Sequence, residues 1–355
     1  MPATPYDLTR DELAALMPGE PAYRARQVWE GLHARAQRPE EMTELPAALR
    51  DALGSVLPPA LREVSTRRAD GGETTKWLWS LADDARIETV LMRYSDRVTV
   101  CVSTQAGCAM ACQFCATGQA GFQRHLTPGE IVEQVAVAMR AARPRRLSNV
   151  VFMGMGEPLA NYDRVWAAVQ RLHTEMGLSA RHLTLSTVGL VPGIRRLAGE
   201  NLPVNLAVSL HAANDELRDE LVPINRRYPL AALSDACAEY VAASGRRLSI
   251  EWALIHEVND RPQDVTELVA FARPLAAHVN LIPLNATPGY AVVGSSPARV
   301  RRFRDDLLGS GVNATIRVTR GADIDAACGQ LAAAVDAGGR ATNQQLRLAR
   351  NAAAR

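Results

Sequence analysis

Hydrophobic and polar positions divide the chain into segments with different repeats. Residues 9–61 repeat apolar positions at helical spacing between prolines, which predicts a small helical module. After the glycine turn at residues 70–72, Trp77 and Trp79 alternate with their neighbours, and residues 86–92 alternate again. Two-residue alternation around a turn predicts a β-hairpin.

Beyond the hairpin, short β-rich apolar runs alternate with helical segments. The runs predicted as strands are 98–102, 150–152, 183–186, 204–210, 248–254, 279–284 and 314–318. The segments predicted as helices are 128–140, 162–173, 230–243, 262–271 and 297–308. Alternation of strand and helix is typical of βα units around a parallel sheet. About six units fit a partial (β/α)6 barrel, and a doubly wound open sheet is the alternative.

These patterns predict three regions. Residues 1–93 form an accessory module of helices and a hairpin, residues 94–331 form an α/β core, and residues 332–355 form a tail. The chain has 355 residues, 47% of them hydrophobic, which is ample for a large core. No apolar run approaches the ~20 residues that span a bilayer, and the first residues do not resemble a secretory signal. We therefore predict a cytoplasmic protein with no membrane partner.

Charge changes the picture little. The formal net charge is only +2, so no global field for polyanions is expected. Of the 40 basic residues, one is lysine, Lys76, and the others are arginine. A GC-rich genome explains most of this bias. Arginines at 143–146, 226–227 and 246–247 are candidate RNA contacts, with solvated surface as the alternative.

The most specific chemical signal is the spacing of Cys108, Cys112 and Cys115, C-x3-C-x2-C. Three thiolates on one loop can hold three irons of a 4Fe–4S cluster and leave the fourth iron open. Zinc is an alternative, but it commonly takes four ligands in two pairs, and a disulfide framework is unusual in a long chain without a signal peptide. The spacing, with Phe114 before the last cysteine, resembles the radical S-adenosylmethionine (SAM) enzymes, whose open iron holds SAM.

Polar residues follow several predicted strands, where the active residues of α/β barrels lie. Gly156 and Glu157 belong to Gly-Met-Gly-Glu-Pro (154–158), which resembles the segment that holds the amino group of SAM. A tight βα turn is the alternative interpretation. Other candidates for SAM recognition, each of which could instead be a cap or turn former, are Ser186, Ser209, Leu210, His211 and Asn285.

Two cysteines outside the loop make the resemblance more specific. Cys101 lies seven residues before Cys108 and Cys328 lies far downstream, whereas Cys237 in an apolar helix is interpreted as an inert core residue. The whole pattern resembles the RlmN/Cfr family of radical SAM RNA methyltransferases, and its RlmN branch most closely. The matching segments are Cys-Val-Ser-Thr-Gln-Ala-Gly-Cys (101–108), Gly-Met-Gly-Glu-Pro (154–158), Leu-Ser-Thr-Val-Gly (185–189), Ser-Leu-His-Ala (209–212), Asn-Leu-Ile-Pro-Leu-Asn (280–285) and Asp-Ile-Asp-Ala-Ala-Cys-Gly-Gln-Leu (323–331).

The resemblance implies a fold and a cofactor set. The fold is a partial (β/α)6 radical SAM barrel with a small helical N-terminal accessory domain. One 4Fe–4S cluster is held by Cys108, Cys112 and Cys115, and two SAM molecules are used per turnover.

The implied reaction methylates C2 of adenine, a carbon that is not nucleophilic. Cys328 takes a methyl group from one SAM and becomes S-methylcysteine. A radical from the second SAM removes hydrogen from that methyl group, whose carbon then adds to adenine. Glu88 matches the position of the family's proton acceptor. One alternative is that Cys101 is the base, and another is that Glu88 is only an exposed glutamate on a strand. Cys101 then attacks the sulfur of Cys328, which releases RNA and leaves a Cys101–Cys328 disulfide.

The implied substrates are an adenosine in the peptidyl transferase region of 23S rRNA and adenosine 37 of tRNA. RNA contact is assigned to the N-terminal module and the arginines. An electron donor such as flavodoxin or ferredoxin is implied, and the chain is expected to be a monomer. Three other functions stay open: Cfr-type methylation at C8, a non-catalytic metal-stabilised RNA-binding module, and another radical SAM enzyme such as a glycyl-radical activator.

Overall fold

The computed structural model describes residues 4–284, 293–318, 320–321, 324–326 and 330–331. These residues form two compact units. The first takes the described parts of Met1–Ala106, Gln123–Ser186 and Asn201–Asn205, and the second those of Gly107–Phe122, Thr187–Glu200 and Leu206–Arg355. The boundary predicted at residue 93 does not separate these units, because the N-terminal module shares its unit with the first strands of the predicted core.

The N-terminal module is helical, as the apolar spacing predicts. Its helices are α1 (Arg10–Ala15), α2 (Ala22–Leu32) and α3 (Ala47–Val56). A capping box starts α1: the Thr9 hydroxyl accepts from the Glu12 N–H, and the Glu12 carboxylate accepts from the Thr9 N–H. Short 3₁₀ helices occur here and later in the chain, at Pro5–Asp7, Pro39–Glu41, Asp70–Gly72, Pro158–Asn161, Ala180–His182 and Pro223–Arg226.

The sheet of the first unit begins antiparallel and continues parallel. The strands up to residue 187 are β1 (Arg62–Ala69), β2 (Thr74–Ser80), β3 (Arg86–Arg93), β4 (Val98–Cys101), β5 (Gln105–Gly107), β6 (Phe122–His125), β7 (Asn149–Phe152) and β8 (Leu183–Thr187). The order in this sheet is β1-β2-β3-β4-β7-β8. β1 to β4 pair antiparallel, and β4, β7 and β8 pair parallel. The two alternating runs predicted as a hairpin, around Trp77 and Trp79 and at residues 86–92, are β2 and β3, which pair antiparallel.

Three helices follow in this part of the chain, α4 (Ala116–Ala120), α5 (Pro128–Ala142) and α6 (Tyr162–Thr174). α5 connects the N-terminal module to the rest of the first unit. Its buried Glu133 accepts hydrogen bonds from the N–H groups of Ala60 at 3.1 Å and Leu61 at 3.2 Å. Trp29 Nε1 also donates to Glu175 just after α6, at 2.7 Å. The accessory module is thus packed against core helices.

The second unit contains a parallel sheet. Its strands are β9 (Asn205–Ser209, the first residue in the other unit), β10 (Ser249–Leu254), β11 (His278–Pro283) and β12 (Ala314–Ile316). Its further helices are α7 (Val191–Ala198), α8 (Asp215–Leu221), α9 (Leu230–Ser244), α10 (Pro262–Ala272) and α11 (Pro297–Gly309). β9 to β12 are parallel neighbours in chain order. Trp252 of β10 packs on Phe303 of α11, so its strand neighbours Glu251 and Ala253 face the opposite side.

All seven predicted strands after the hairpin and all five predicted helices are present, with ends shifted by a few residues. The short elements β5, β6, α4, α7 and α8 escaped sequence analysis, because segments of three to eight residues hold too few apolar positions to show a period. None of the helices in the described residues is long and apolar enough to cross a membrane.

Candidate active site

The three clustered cysteines lie on a tightly folded loop of the second unit. Cys115 is the N-cap residue of α4, and the Cys108 N–H donates to the Gly121 carbonyl at 2.8 Å. Gly107 adopts φ +74°, and a Cβ there would lie only 1.9 Å from the Gly121 oxygen. The loop needs a residue without a side chain at this position.

The loop fits a cluster by its donor chemistry and its apolar surroundings. Cys112 is buried, and Cys108 and Cys115 are partly buried. Apolar residues that pack with Cys112 are Phe114, Ala212, Leu221, Val222 and Ile255. In the described part of the chain, no three His, Cys, Asp or Glu side chains are grouped as a preformed ion site. Thiolate sulfur is the ligand that iron–sulfur clusters take, and an apolar shell restricts solvent access to them.

Gly107→Ala is expected to prevent cluster loading without unfolding the protein. The added methyl group and the positive φ force the backbone before Cys108 to move, which costs on the order of 1–3 kcal/mol locally and displaces the first thiol. Iron and sulfide content per chain after anaerobic reconstitution measures the effect. Gly54→Ala in α3 is the matched control, since a Cβ there meets nothing within 4 Å. Equal iron content in both variants would contradict the expectation.

In the first unit, the segment predicted to hold the SAM amino group is a strained turn after β7. Gly156 adopts φ +105°, and a Cβ there would lie 2.6 Å from Gln105 Cβ. Gln105 Oε1 accepts from the Glu157 N–H at 2.9 Å, and Glu157 Oε1 accepts from the Leu159 N–H at 3.0 Å. The Glu157 side chain is thereby oriented while buried. A carboxylate accepts several hydrogen bonds, so this anchoring is compatible with an ammonium ligand. Ser186, near the end of β8, is also buried.

In the second unit, Ser209 is the last residue of β9, and Leu210 and His211 follow it. His211 adopts φ +60° and is buried, and its Nδ1 accepts from the Ala253 N–H at 3.0 Å. Burial, with a smaller contribution from the Arg218 cation, lowers the pKa of His211 to about 3. The ring is therefore neutral, and because Nδ1 is the acceptor, the proton lies on Nε2. His211 can offer an N–H donor but no charge.

A buried arginine that sequence analysis missed braces this segment. Arg218 of α8 is fully buried. It donates to the carbonyl of Leu210 at 3.1 Å, to that of Val188 at 2.7 Å and to Asn225 Oδ1 at 2.7 Å. Burial lowers its pKa to about 10, so it stays protonated at neutral pH. In an arginine-rich sequence, nothing separates this residue from surface arginines.

A polar row across β9 to β12 was also missed. Glu251 lies beside Ser209 in register and opposite Asn280, which in turn lies opposite Thr315. Asn280 donates to Glu251 Oε1 at 2.9 Å, Thr315 donates to Asn280 at 2.9 Å, and Arg317 lies 3.7 Å from Glu251 Oε2. Burial raises the pKa of Glu251. The signal available in the sequence was a single glutamate inside an apolar strand.

The predicted proton acceptor and resolving thiol share one face of the first unit's sheet. Cys101 of β4 lies opposite Val90 of β3, two residues from Glu88, so Cys101 and Glu88 point to the same side. Both are buried, which is at odds with the alternative of an exposed strand glutamate. The Ser103 hydroxyl donates to the Glu88 carbonyl at 2.6 Å and fixes the strand there. Lys76 Nζ lies 3.4 Å from Glu88 Oε1.

Two predicted site residues, Cys328 and Asn285, lie outside the described residues. The arginines at 143–146, predicted as RNA contacts, hold loop carbonyls. The bonds are Arg143 to Arg35 at 2.7 Å, Arg145 to Arg97 at 3.2 Å and Arg146 to Gly177 at 3.1 Å. These contacts give the three arginines a structural role, and RNA binding by them remains a prediction.

Sequence comparison with known proteins identifies the family of this chain. Residues 102–270 match the model of the Radical SAM superfamily. A protein of Parafrankia sp. (strain EAN1pec), "Probable dual-specificity RNA methyltransferase RlmN", is 55% identical over 92% of this chain and 91% of that protein. One of the same name from Chloroflexus aurantiacus is 50% identical over 92% of both. The chain belongs to the RlmN family.

The structural comparison supports the same assignment. A radical SAM methyltransferase from Sphaerobacter thermophilus has 49% identity and a TM-score of 0.89 over 94% of this chain and 100% of that one. The predicted α/β radical SAM fold and the predicted enzyme class, a radical SAM methyltransferase, are confirmed. A member of the RlmN family with a radical SAM domain uses a 4Fe–4S cluster and SAM. The ligand set, Cys108, Cys112 and Cys115, remains a prediction from the motif.

Proposed function

We propose that this protein methylates C2 of adenosine in 23S rRNA and in tRNA through a methyl group carried on Cys328. The placement of Glu88 and Cys101 on the same buried face of the sheet carries the proposal. Both residues precede the segment that matches the radical SAM model, which begins at residue 102. Radical SAM chemistry in general needs neither a base nor a second thiol there, whereas methyl transfer from a protein cysteine to an aromatic carbon needs both. The printed names of the relatives support RNA as the substrate.

When bound, the cluster with SAM supplies the methyl group and one-electron chemistry. The residues of the chain then have four roles. Cys328 carries the methyl group as a thioether, and Glu88 accepts the C2 proton of the adenine joined to it. Cys101 attacks the Cys328 sulfur, so that the carbon–sulfur bond breaks, a disulfide forms, and the released carbon takes up a proton to complete the methyl group. Two electrons from a reductant restore both thiols before the next turnover.

The same proposal covers cofactor binding and partners. Cys108, Cys112 and Cys115 would hold the cluster, and the turn with Gly156 and Glu157 would hold the amino group of SAM. Ser186, Ser209, Leu210, His211 and Asn285 would complete SAM recognition. The target base would be presented unstacked, as in enzymes that act on a base. A flavodoxin- or ferredoxin-like donor would reduce a monomeric enzyme.

Nucleoside mass spectrometry tests the proposal. The cluster is reconstituted without oxygen, SAM, reductant and protein-free 23S rRNA or tRNA are added, and the RNA is digested. 2-Methyladenosine in both RNAs is expected. 8-Methyladenosine would instead assign the chain to Cfr-type chemistry, and no methylated adenosine with a loaded cluster would overturn the proposal.

Cys328→Ala is expected to abolish RNA methylation while cleavage of SAM continues, because the methyl carrier is removed and the cofactor site is kept. Cys237→Ala is the matched control. Burial raises the pKa of Cys237 to about 12, so that thiol is inert at neutral pH. RNA methylation by the Cys328→Ala variant would exclude the cysteine-carried route.

A further inference from the structure

Lys76 is the one lysine of the sequence and occupies an unusual position. The other basic residues of the chain are arginines. Lys76 lies in β2 with its side chain 7% exposed, although lysine is rarely buried without a partner. A bias toward arginine does not explain a lysine at this place. Lysine differs from arginine in carrying a compact ammonium in place of a planar guanidinium.

The partner of Lys76 is the predicted base. Lys76 Nζ lies 3.4 Å from Glu88 Oε1, and the Glu88 side chain is 2% exposed. Lys76 pairs with Val90, which pairs with Cys101, so Lys76, Glu88 and Cys101 project from the same face of three adjacent strands. The opposite face of β3 turns toward α5, where Thr89 donates to Gln134 at 2.9 Å. The pair therefore lies on the face that carries the reactive groups.

Stability does not account for such a pair. A buried ion pair often contributes little net stability, because both charges lose their water. Its effect on the carboxylate is larger, since an isolated buried carboxylate takes up a proton whereas an adjacent cation favours the charged form. A carboxylate must be ionised to accept a proton from carbon.

We propose that Lys76 is a positioning residue that keeps Glu88 ionised and oriented for removal of the C2 proton. The inference rests on the proposed function. In the step it assists, the C2 proton passes to the Glu88 carboxylate, and the electron pair of the C–H bond stays in the adenine ring. Loss of the Lys76 charge favours the protonated form of Glu88, which cannot accept a proton from carbon.

The test uses Lys76→Met, which keeps the length of the side chain and removes the charge. Formation of methyladenosine is expected to slow at least ~10-fold and at most ~10,000-fold, the upper end of what general base catalysis contributes. A covalent protein–RNA adduct should accumulate, because Glu88 acts after the carbon–carbon bond has formed. Methylation of Cys328 itself, read from the mass of its peptide, should be unchanged and also shows that the variant is folded.

A double-mutant cycle separates this role from a structural one. If Lys76 acts through Glu88, the variant with both Lys76→Met and Glu88→Gln is no slower than Glu88→Gln alone. Infrared difference spectra provide a readout without RNA: Lys76→Met should show a protonated carboxyl band that Glu88→Gln removes.

The proposal would be overturned if the double variant were slower than Glu88→Gln by the full factor seen for Lys76→Met alone. Loss of Cys328 methylation or absence of the carboxyl band would also overturn it. Failure of the proposed function has a different signature. The unmutated protein would then form no methyladenosine, while the infrared result would still decide whether Lys76 keeps Glu88 charged.

Discussion

Cys112→Ala is expected to abolish cluster binding and, with it, RNA methylation. The remaining thiols, Cys108 and Cys115, cannot complete a three-cysteine ligand set. Loss of activity should exceed ~1000-fold, because the radical step depends on the cluster. The fold should survive, since alanine in place of one buried thiol loses only a small apolar group, at a cost of about 1–2 kcal/mol. Iron and sulfide content, absorption near ~400 nm and circular dichroism measure the two effects separately.

Cys237→Ala is the control for this experiment. Cys237 is also a buried cysteine in the second unit, and it lies on α9 outside the loop. Its replacement should cost a similar amount of stability and leave iron content unchanged. A full cluster in Cys112→Ala would remove Cys112 from the ligand set. Equal loss of iron in both variants would show general fragility and not ligation.

Arg218→Met is expected to lower the free energy of unfolding by about 3–5 kcal/mol, because several buried neutral acceptors lose their donor and each costs about 1–3 kcal/mol when left unsatisfied. The carbonyls of Val188 and Leu210 and the Asn225 side chain would lose their donor inside the protein. One effect has the opposite sign: the lowered pKa shows that burial of the cation itself opposes folding at neutral pH. We expect the lost hydrogen bonds to be the larger effect. Urea unfolding of the apoprotein measures the sum.

Arg195→Met is the matched control, because Arg195 pairs with Glu239 on the surface and both side chains are about half exposed. Its loss should cost less than about 1 kcal/mol. Hydrogen exchange should also speed up at residues 209–212 in Arg218→Met alone. If the free energy of unfolding of Arg218→Met lies within about 1 kcal/mol of that of the unmutated protein, removal of the buried charge offsets the lost hydrogen bonds.

These variants divide the chemistry between the units. The second unit carries the cluster loop and the segment braced by Arg218, which belong to the part that matches the general radical SAM model. The first unit carries Lys76, Glu88 and Cys101, all before that part. Loss of the cluster from the second unit should therefore stop SAM chemistry, whereas Lys76→Met should slow a later step of the reaction.

Features that depend on neighbouring residues could be read from the sequence. The cysteine spacing lies within eight residues, from Cys108 to Cys115, and its donors share one loop in any fold. The order of strands and helices could be predicted from the spacing of apolar residues, because the buried positions of each segment repeat with the period of a strand or a helix. The fold class and the enzyme class depended on such local signals in one order along the chain, and both are confirmed.

What the tertiary structure decided depends on register and burial. The contact of Lys76 with Glu88 exists because β2 and β3 pair in one register, and a shift by one residue would turn either side chain to the other face. Arg218 is a core residue and the arginines at 143–146 donate to loop carbonyls, a difference that the residue type alone does not show. A guanidinium has the same chemistry in both places, and only the surrounding chain fixes whether it binds a buried carbonyl, a surface loop or an RNA phosphate.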